Sequence, residues 1–257
     1  GNFIATPLSA VGRFADGSGQ FTLSRLFSDD NPSGTPQDFA DVRVRVIDDD
    51  TGSAQGNLRL RIDNVAPTIT AMNLSSTLVR EGETLGVSGS FNDPGIADTF
   101  TLEVDWGNGV FMPFDFATHG SVVGGVGSFS VSQLIEDDHP DSGTPFDDRE
   151  IRVRVRDDDT GVAVASSQVR LLNLPPVISN AGLSANVIDE NQSVTLSFTL
   201  TDPSPRDTYT VRVDWQDRGQ FAEQTVAAGT HNLSFQHTYP DNDPSGTPFD
   251  LKSIVIS

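Results

Sequence analysis

The sequence of 257 residues contains no cysteine, so neither disulfides nor thiolate metal sites stabilise this chain. A domain of ~100 residues can be stable on its hydrophobic core alone, and the lack of cysteine therefore assigns no cellular compartment. No apolar run approaches the ~18 residues of a membrane-spanning helix. Few stretches show helical periodicity, whereas Val, Ile and Thr alternate with polar residues at many places, which indicates an all-β protein.

Basic residues are scarce. The chain has 16 Lys and Arg against 36 Asp and Glu, which gives a formal net charge of -20 at pH 7. Nucleic acids and anionic membranes bind basic surfaces, so we expect neither as a partner and no membrane insertion. The charge favours divalent cations as ligands, or solubility in salty water. No signal peptide stands at Gly1, and we expect the chain to be a mature or excised piece of a longer protein.

The signatures of common catalytic sites are missing from the sequence. It has no nucleophile elbow, no phosphate-binding glycine loop and no dinucleotide fingerprint, and its four histidines lack zinc-binding spacing. Carboxylates are so abundant that a glycosidase-type pair is neither excluded nor indicated. We therefore predict that the chain is not an enzyme.

The most informative stretch is residues 151–161, where apolar residues and Arg alternate before three aspartates and a Thr-Gly turn. The alternation predicts a β-strand with one buried and one solvated face. Nearly the same text occupies residues 42–52, which lie 109 positions earlier, and the same spacing separates the Val-Asp-Trp segments 104–106 and 213–215. Chance does not produce so many matches in one register, so we infer tandem repeats.

These matches divide the chain into three predicted domains. Residues 1–66 carry only the second half of a repeat, residues 67–175 form one complete repeat, and residues 176–257 form a repeat that lacks its last strand or strands. Seven short strands separated by turn signals are typical of a two-sheet sandwich. The predicted fold class is therefore all-β, with tandem immunoglobulin-like β-sandwich repeats. Within the complete repeat the strands are predicted near 68–79, 84–92, 99–106, 110–117, 126–135, 149–156 and 162–172.

Five kinds of segment, taken in order, carry a resemblance to known modules. They are Glu81-Gly82-Glu83, Phe91-Asn92-Asp93-Pro94-Gly95, Val104-Asp105-Trp106-Gly107-Asn108-Gly109, the Asp-Asp-Asp-Thr-Gly turns, and the linker Asp63-Asn64-Val65-Ala66-Pro67. Together they resemble the PKD-like and cadherin-like repeats of large bacterial surface proteins. PKD modules usually show Trp-x-Phe-Gly-Asp-Gly, whereas this chain has Trp106-Gly107-Asn108-Gly109 and, in the second copy, Trp215-Gln216-Asp217-Arg218-Gly219. The resemblance implies an extracellular, cell-surface array of β-sandwiches that often binds calcium.

An up-and-down trace of the predicted strands assigns the acidic loops to the two ends of a repeat. The second loop and the last loop lie at the end where the linker enters, and the first and fifth loops lie at the exit. Stacked repeats would then bring acidic loops together at each linker, and the resemblance to cadherin-like linkers implies Ca²⁺ there. Six to eight oxygen ligands without strict geometry suit calcium better than magnesium.

The predicted metal ligands form one set for each junction between repeats. For the first junction they are Asp29, Asp30, Asp63, Asn64, Asp93 and Asp98, with Asp157 and Asp159 in the last loop of the complete repeat; for the second they are Glu81, Asp137, Asp138, Asn173, Asp202 and Asp207. The same acids have an alternative interpretation as turn formers and solvated loop charge, because Asp and Asn suit turns for local reasons.

Two functions of different classes follow. The first is a non-catalytic structural array, stiffened by calcium, with neighbouring repeats or other copies of the chain as partners and fibre assembly by strand complementation. The alternative is an adhesin or carbohydrate-binding accessory module of a larger extracellular protein or enzyme, with a glycan or surface ligand. It would need an exposed aromatic patch, for which Phe111, Phe114 and Phe116 are the candidates. These three are also compatible with a bulged edge strand packed over the core, which we favour.

Overall fold

The structure, a computed structural model, describes residues 4, 6, 12–30, 34–138, 143–229, 231–241 and 248–257. Within these ranges it has nineteen strands and one single-turn helix, and no helix is long and apolar enough to cross a membrane. The elements are β1 (Gly12–Ala15), β2 (Ser18–Phe21), β3 (Gln37–Ile47), β4 (Ser53–Asp63), β5 (Thr68–Leu74), β6 (Leu78–Arg80), β7 (Thr84–Asn92), β8 (Phe100–Asp105), β9 (Phe111–Phe114), α1 (Phe116–His119), β10 (Gly120–Val123), β11 (Val126–Leu134), β12 (Phe146–Asp157), β13 (Val162–Leu172), β14 (Val177–Leu183), β15 (Gln192–Thr201), β16 (Tyr209–Asp217), β17 (Gln220–Val226), β18 (His231–Tyr239) and β19 (Val255–Ile256).

The predicted β-sandwich fold is confirmed in the central part of the chain. One sheet has the order β10-β11-β7-β5 and the other the order β6-β13-β12-β8-β9. The short strand β6 pairs parallel with β13, with Leu78 opposite Arg170, while β12 pairs antiparallel with β8. A first strand shared between the two sheets, with its second part parallel to the last strand, is an immunoglobulin-like arrangement.

Two predicted strands of this sandwich are each interrupted by local hydrogen bonds. The predicted strand 68–79 breaks into β5 and β6, where the Ser76 hydroxyl accepts from Leu78 N at 3.1 Å. The predicted strand 110–117 ends at Phe114, because the Asp115 side chain caps α1 and accepts from Ala117 N at 3.2 Å. Short polar side chains that bond to nearby backbone compete with strand pairing in this way. Strand β10, which follows α1, was not predicted.

The last part of the chain repeats the same plan. Its sheets have the orders β14-β15-β18 and β17-β16-β19, and its core includes Trp215 and Val213, which are 2% and 0% exposed. Strand β19 pairs with β16 by placing Ile256 opposite Val213. In the central sandwich Val153 of β12 stands opposite Val104, the residue 109 positions before Val213. Strand β19 therefore takes the place on β16 that β12 takes on β8.

The chain divides into two compact units, and each contains one predicted linker. The bounds of these units do not coincide with the predicted repeat boundaries at 66/67 and 175/176, and the division into three repeats stays a prediction. Unit 1 gathers the described residues of Gly1–Asn73, Val87–Val131 and Glu150–Ser167, and unit 2 those of Leu74–Gly86, Ser132–Arg149 and Gln168–Ser257.

Equivalent valines differ in burial within unit 1. Strands β3 and β4 form a two-stranded sheet by themselves, with antiparallel pairing from Gln37 to Ile47. Val46 on β3 is 46% exposed, whereas Val155, the residue 109 positions later on β12, is fully buried. Two valines in the same sequence context thus differ in the apolar contacts that they make.

We expect Val155→Ala to lower the free energy of unfolding by about 2 kcal/mol, because it removes buried methyl groups and leaves a cavity. The matched control Val46→Ala should change it by less than about 0.5 kcal/mol, since its side chain is half in water. Urea denaturation followed by tryptophan fluorescence measures both, because Trp106 lies in the same unit as the two valines. Equal losses in the two variants would contradict the assignment of burial.

Candidate metal centres

The Asp-Asp-Asp-Thr-Gly turns adopt one local structure in both copies. In the second copy the Asp157 carboxylate accepts from Gly161 N at 2.5 Å, and Thr160 has a positive φ of 76°. In the first copy Asp48 accepts from Gly52 N at the same distance. The first turn is exposed, whereas Asp157 is buried. The local sequence therefore makes the turn, and the surrounding loops decide whether its carboxylates are buried.

In unit 1 this turn contributes to an acidic cluster, which we call cluster 1. Two triads have carboxylate oxygens within 4.8 Å of one another: Asp29, Asp98 and Asp159 form one, and Asp93, Asp98 and Asp157 form the other. Asp98 belongs to both triads. Asp30 is 3% exposed and lies beside Asp159, and we include it in cluster 1. Cluster 1 therefore consists of Asp29, Asp30, Asp93, Asp98, Asp157 and Asp159.

Backbone contacts bring the loops of cluster 1 together. Asp93 N donates to Gly125 O at 2.8 Å, and a Cβ on Gly125 would lie 2.2 Å from the Asp93 carbonyl oxygen. Only glycine tolerates this approach, at its φ of 79°. Thr99 N donates to the carboxylate of Asp158 at 2.8 Å, which holds the last loop against the second. The predicted placement of these loops at one end is therefore correct.

The first linker contacts cluster 1 through Asn64. Its side-chain amide donates to Asp157 Oδ2 at 2.9 Å, and its backbone N–H donates to Pro36 O at 3.1 Å. Asp63 belongs to neither triad, because its carboxylate pairs with Arg61 on the surface at 2.8 Å. A cavity of about 80 Å³ lies here, and its lining includes Asp29, Asp30, Asp63 and Asn64. This is more space than one water molecule occupies.

A second cluster, cluster 2, forms in unit 2. Glu81 belongs to two triads, one with Asp202 and Asp207 and the other with Asp137 and Asp138. Cluster 2 consists of these five residues. The first and fifth loops of the central sandwich meet here as predicted, since Gly82 N donates to Ile135 O at 2.7 Å.

The second linker contacts cluster 2 through its backbone. Leu174 N donates to Glu81 Oε1 at 2.7 Å. The neighbouring Asn173 donates its backbone N–H to Pro145 O at 3.2 Å, as Asn64 does to Pro36, and it belongs to neither triad.

Ser204 is a functional candidate that the sequence analysis missed. It is fully buried, and its hydroxyl donates to Asp137 Oδ1 at 3.3 Å. Its backbone N–H donates to Asp202 Oδ1 at 2.8 Å, in the turn that Gly95 makes with Asp93. The Asp-Pro-Ser and Asp-Pro-Gly segments at these positions signal this turn, and would have placed Ser204 beside the carboxylates.

Both clusters contain buried carboxylate oxygens without a hydrogen-bond donor among the described residues. Glu81 Oε2, Asp93 Oδ2, Asp137 Oδ2 and Asp159 Oδ1 are such atoms, and their side chains belong to residues that are 1%, 4%, 6% and 3% exposed. A buried anionic oxygen with neither donor nor cation is costly. The two clusters could each hold a metal ion, and the oxygen-rich donor sets fit a hard cation.

Burial and mutual repulsion raise the pKa values of several acids in the two clusters. Burial is the largest cause, and it raises the pKa of Asp98 to about 8 together with the neighbouring Asp29 carboxylate. In the same way burial raises the pKa of Glu81 to about 7, with added repulsion from the like charge of Asp202, and that of Asp159 to about 6, with added repulsion from Asp30. The pKa values of Asp93 and Asp202 also rise on burial. Without a cation the clusters therefore favour bound protons.

The three phenylalanines proposed as an exposed patch are half-buried and packed against neighbours. The Arg154 guanidinium lies 4.1 Å from the centroid of the Phe111 ring. Phe114 contacts Trp106 edge-on at 6.3 Å, and Phe116 lies 6.0 Å from the buried Phe91 ring. Phe114 and Phe116 pack against core rings, as the edge-strand interpretation expects, although Phe116 lies on α1 and not on β9. Phe111 on β9 packs against an arginine instead, so the interpretation is wrong for that residue. The three rings do not form a flat stacking surface.

Comparison with known proteins adds structural neighbours but no family. No protein-family model matches the chain, and no curated protein matches it. Among solved structures, dimeric latent PorU from Porphyromonas gingivalis is similar at 14% identity and a TM-score of 0.30, over 84% of this chain and 23% of that one. The chain thus spans about a quarter of that protein's length.

Two further structures are similar at the same low level. A carbohydrate-binding module of the β-sandwich superfamily with promiscuous specificity matches at 11% identity and a TM-score of 0.31, over 71% of this chain and 88% of that one. A DUF4785 family protein from Legionella pneumophila matches at 11% identity and a TM-score of 0.27, over 65% and 46%. Similarity this distant carries no argument about function.

We expect the metal-free protein to lose stability as the pH rises from about 4 to about 8. The native carboxyls with raised pKa bind protons more tightly than the unfolded chain, whose Asp pKa is near 3.8, so unfolding becomes easier as these protons leave. Thermal unfolding in chelator at a series of pH values measures the slope. Asp98→Asn and Glu81→Gln should each flatten it. A midpoint that rises over this window would contradict the raised pKa values.

Proposed function

We propose that the chain is a non-catalytic array of β-sandwich repeats from a secreted or cell-surface protein, in which Ca²⁺ bound at the linkers stiffens the array. One observation carries the proposal: each linker contacts a cluster of buried carboxylates that retains oxygens without donors. The resemblance to PKD-like and cadherin-like repeats supports the same assignment.

Calcium fits these clusters better than other common metals. The triads contain only Asp and Glu, so their ligands are hard oxygens, whereas zinc and copper favour His or Cys. Each cluster gathers five or six acidic residues from several loops, which exceeds the one or two carboxylates typical of a magnesium site. Extracellular modules bind Ca²⁺ at ~10⁻⁴–10⁻³ M, which suits a site filled outside the cell.

The linker contacts explain how metal binding would stiffen the array. The side-chain amide of Asn64 donates a hydrogen bond to Asp157, and the backbone N–H of Leu174 donates one to Glu81. A cation that fixes these carboxylates therefore also fixes the backbone of each linker. Without the cation, repulsion between the acids opposes the same closed arrangement.

The geometry favours this structural role over an adhesin or carbohydrate-binding module. Sugar rings bind on flat, exposed aromatic faces, and the proposed patch at Phe111, Phe114 and Phe116 has its rings occupied by neighbouring side chains. A glycan ligand on another surface belongs to the alternative proposal, for which the described residues offer no specific contact.

Assembly of copies into a fibre is the second part of the proposal. One face of the β3–β4 sheet exposes Val42, Val46, Leu58 and Leu60. The equivalent residues of the central sandwich are buried: Val153 and Val155 of β12, which lie 109 positions after Val44 and Val46, are 0% exposed. Another copy could cover the face by adding strands, as in strand complementation.

Calcium should raise the midpoint of thermal unfolding, because a ligand that binds only the native state stabilises it by mass action. We expect a rise across a millimolar titration that Mg²⁺ does not reproduce. Asp98→Asn and Glu81→Gln should each reduce the rise. The matched control Asp48→Asn should not, because it alters the same turn where that turn is exposed. A midpoint that calcium leaves unchanged would show that the acids are solvated turn residues.

Sedimentation velocity over a range of concentrations tests assembly. We expect the chain to associate as concentration rises, and Val42→Asp to abolish association by placing a charge on the exposed apolar face. Gln55→Asp is the control, since Gln55 pairs with Arg45 on the opposite face of the hairpin. A monodisperse monomer at every concentration would exclude strand complementation.

A further inference from the structure

We infer that the two clusters bind their cations with different affinities, because cluster 2 contains the guanidinium of Arg149, whereas the described residues place no guanidinium in cluster 1. The inference rests on the proposed calcium function and adds an order of filling: cluster 1 loads at lower calcium and cluster 2 at higher calcium.

The difference in charge between the two clusters is visible in the sequence, at positions that lie 109 residues apart. Arg149 of β12 corresponds, 109 positions earlier, to Ala40 of β3, and Arg206 of the loop before β16 corresponds in the same way to Ala97. Both positions stand beside acids that the two repeats share, since Asp207 follows Arg206 as Asp98 follows Ala97. Arginine therefore replaces alanine twice at cluster 2.

The structure places Arg149 within cluster 2. Its Nη2 donates to the backbone oxygen of Asp137 at 3.2 Å, and the side chain is half-buried. The charges that act on it most strongly are the carboxylates of Asp137, Asp147 and Asp138. The positive charge of the exposed Arg206 repels that of Arg149. The half-buried guanidinium of Arg149 thus supplies part of the positive charge that a cation would bring.

At cluster 1 the described residues provide no such neutralising cation. The charges that act most strongly on its shared residue Asp98 are three more carboxylates, those of Asp29, Asp93 and Asp158. Among the described residues, cluster 1 has seven buried carboxylate oxygens without a donor, and cluster 2 has four. The seven belong to Asp29, Asp30, Asp93, Asp98 and Asp159, and the four to Glu81, Asp137, Asp138 and Asp202.

These differences act in one direction on metal binding. A divalent cation at cluster 1 meets only attraction from the surrounding carboxylates, whereas at cluster 2 it also meets repulsion from Arg149, which is poorly screened because the side chain is half-buried. The unpartnered oxygens at cluster 1 also gain more from coordination. We expect the dissociation constant for Ca²⁺ at cluster 1 to be at least about tenfold lower.

Calorimetric titration of Ca²⁺ into the chelator-treated chain measures both affinities. Glu81→Gln leaves cluster 1 as the intact site, and Asp98→Asn leaves cluster 2, because each removes the residue that two triads share. We expect tight binding in Glu81→Gln and weak binding in Asp98→Asn. Asp202→Asn and Asp159→Asn serve as second variants of the two clusters if either first variant fails to fold.

Arg149→Gln tests the cause of the difference. It removes the charge and retains a donor for the Asp137 carbonyl, so binding at cluster 2 should tighten by about tenfold while cluster 1 is unchanged. The matched control is Arg212→Gln, in the same unit, where the guanidinium stacks on Phe221 at 4.0 Å and takes no part in cluster 2. It should leave both affinities unchanged.

The possible results separate the inference from the function on which it rests. Absence of calcium binding in the unaltered chain would overturn the proposed function. Equal affinities in Glu81→Gln and Asp98→Asn, or an Arg149→Gln variant that binds no more tightly than the control, would overturn the inference and leave calcium binding intact. Two affinities that Arg149→Gln brings together would support both.

Discussion

The structure depends on the confinement of like charges at the linkers. Burial takes Glu81, Asp93 and Asp159 out of water, and within the described part of the chain no arginine forms an ion pair with these three carboxylates. Elsewhere the chain solves the same problem with internal partners: Asp105, 1% exposed, accepts from three successive backbone N–H groups between Gly107 and Gly109 and pairs with Arg152. That carboxylate has a lowered pKa, because these donors outweigh the effect of burial. The contrast separates acids whose charge is compensated within the fold from acids whose buried oxygens have no donor among the described residues.

Hydrophobic periodicity predicted most strands of the central sandwich, because the alternation of apolar and polar residues follows from the burial of one face of each strand. The strands at 84–92 and 162–172 have their predicted bounds. Gly-containing turns flank the first, and a Gly turn precedes the second while two prolines follow it. The split of the first strand at Ser76 and the early end of β9 at Asp115 were missed, because single polar side chains form local hydrogen bonds there that no periodic pattern records.

The placement of candidate ligands could be predicted where similar loops recur along the chain. It could not be predicted where a single side chain can bond to either of two partners. Asp93, Asp98 and Asp157 were assigned to one end of a repeat from strand order, and the structure brings them together. Asp63 precedes Asn64 in the linker, but it faces Arg61 on the same strand and leaves the cluster. Its direction follows from strand alternation in β4, which continues to Asp63. Ser204 was missed because only the aspartate of the Asp-Pro-Ser turn was considered as a ligand, although that turn also places the Ser204 hydroxyl beside the carboxylates.

The Asp-Asp-Asp-Thr-Gly turn recurs after β3 and after β12, in two different surroundings. The turn is closed by a hydrogen bond between its own aspartate and its own backbone. It therefore has the same local structure where it is exposed, at Asp48, and where it is buried, at Asp157. Each copy of the turn therefore presents its carboxylates on the same closed loop. Residues near the turn can therefore differ between the two copies, as Ala40 and Arg149 do, while the turn keeps its local structure.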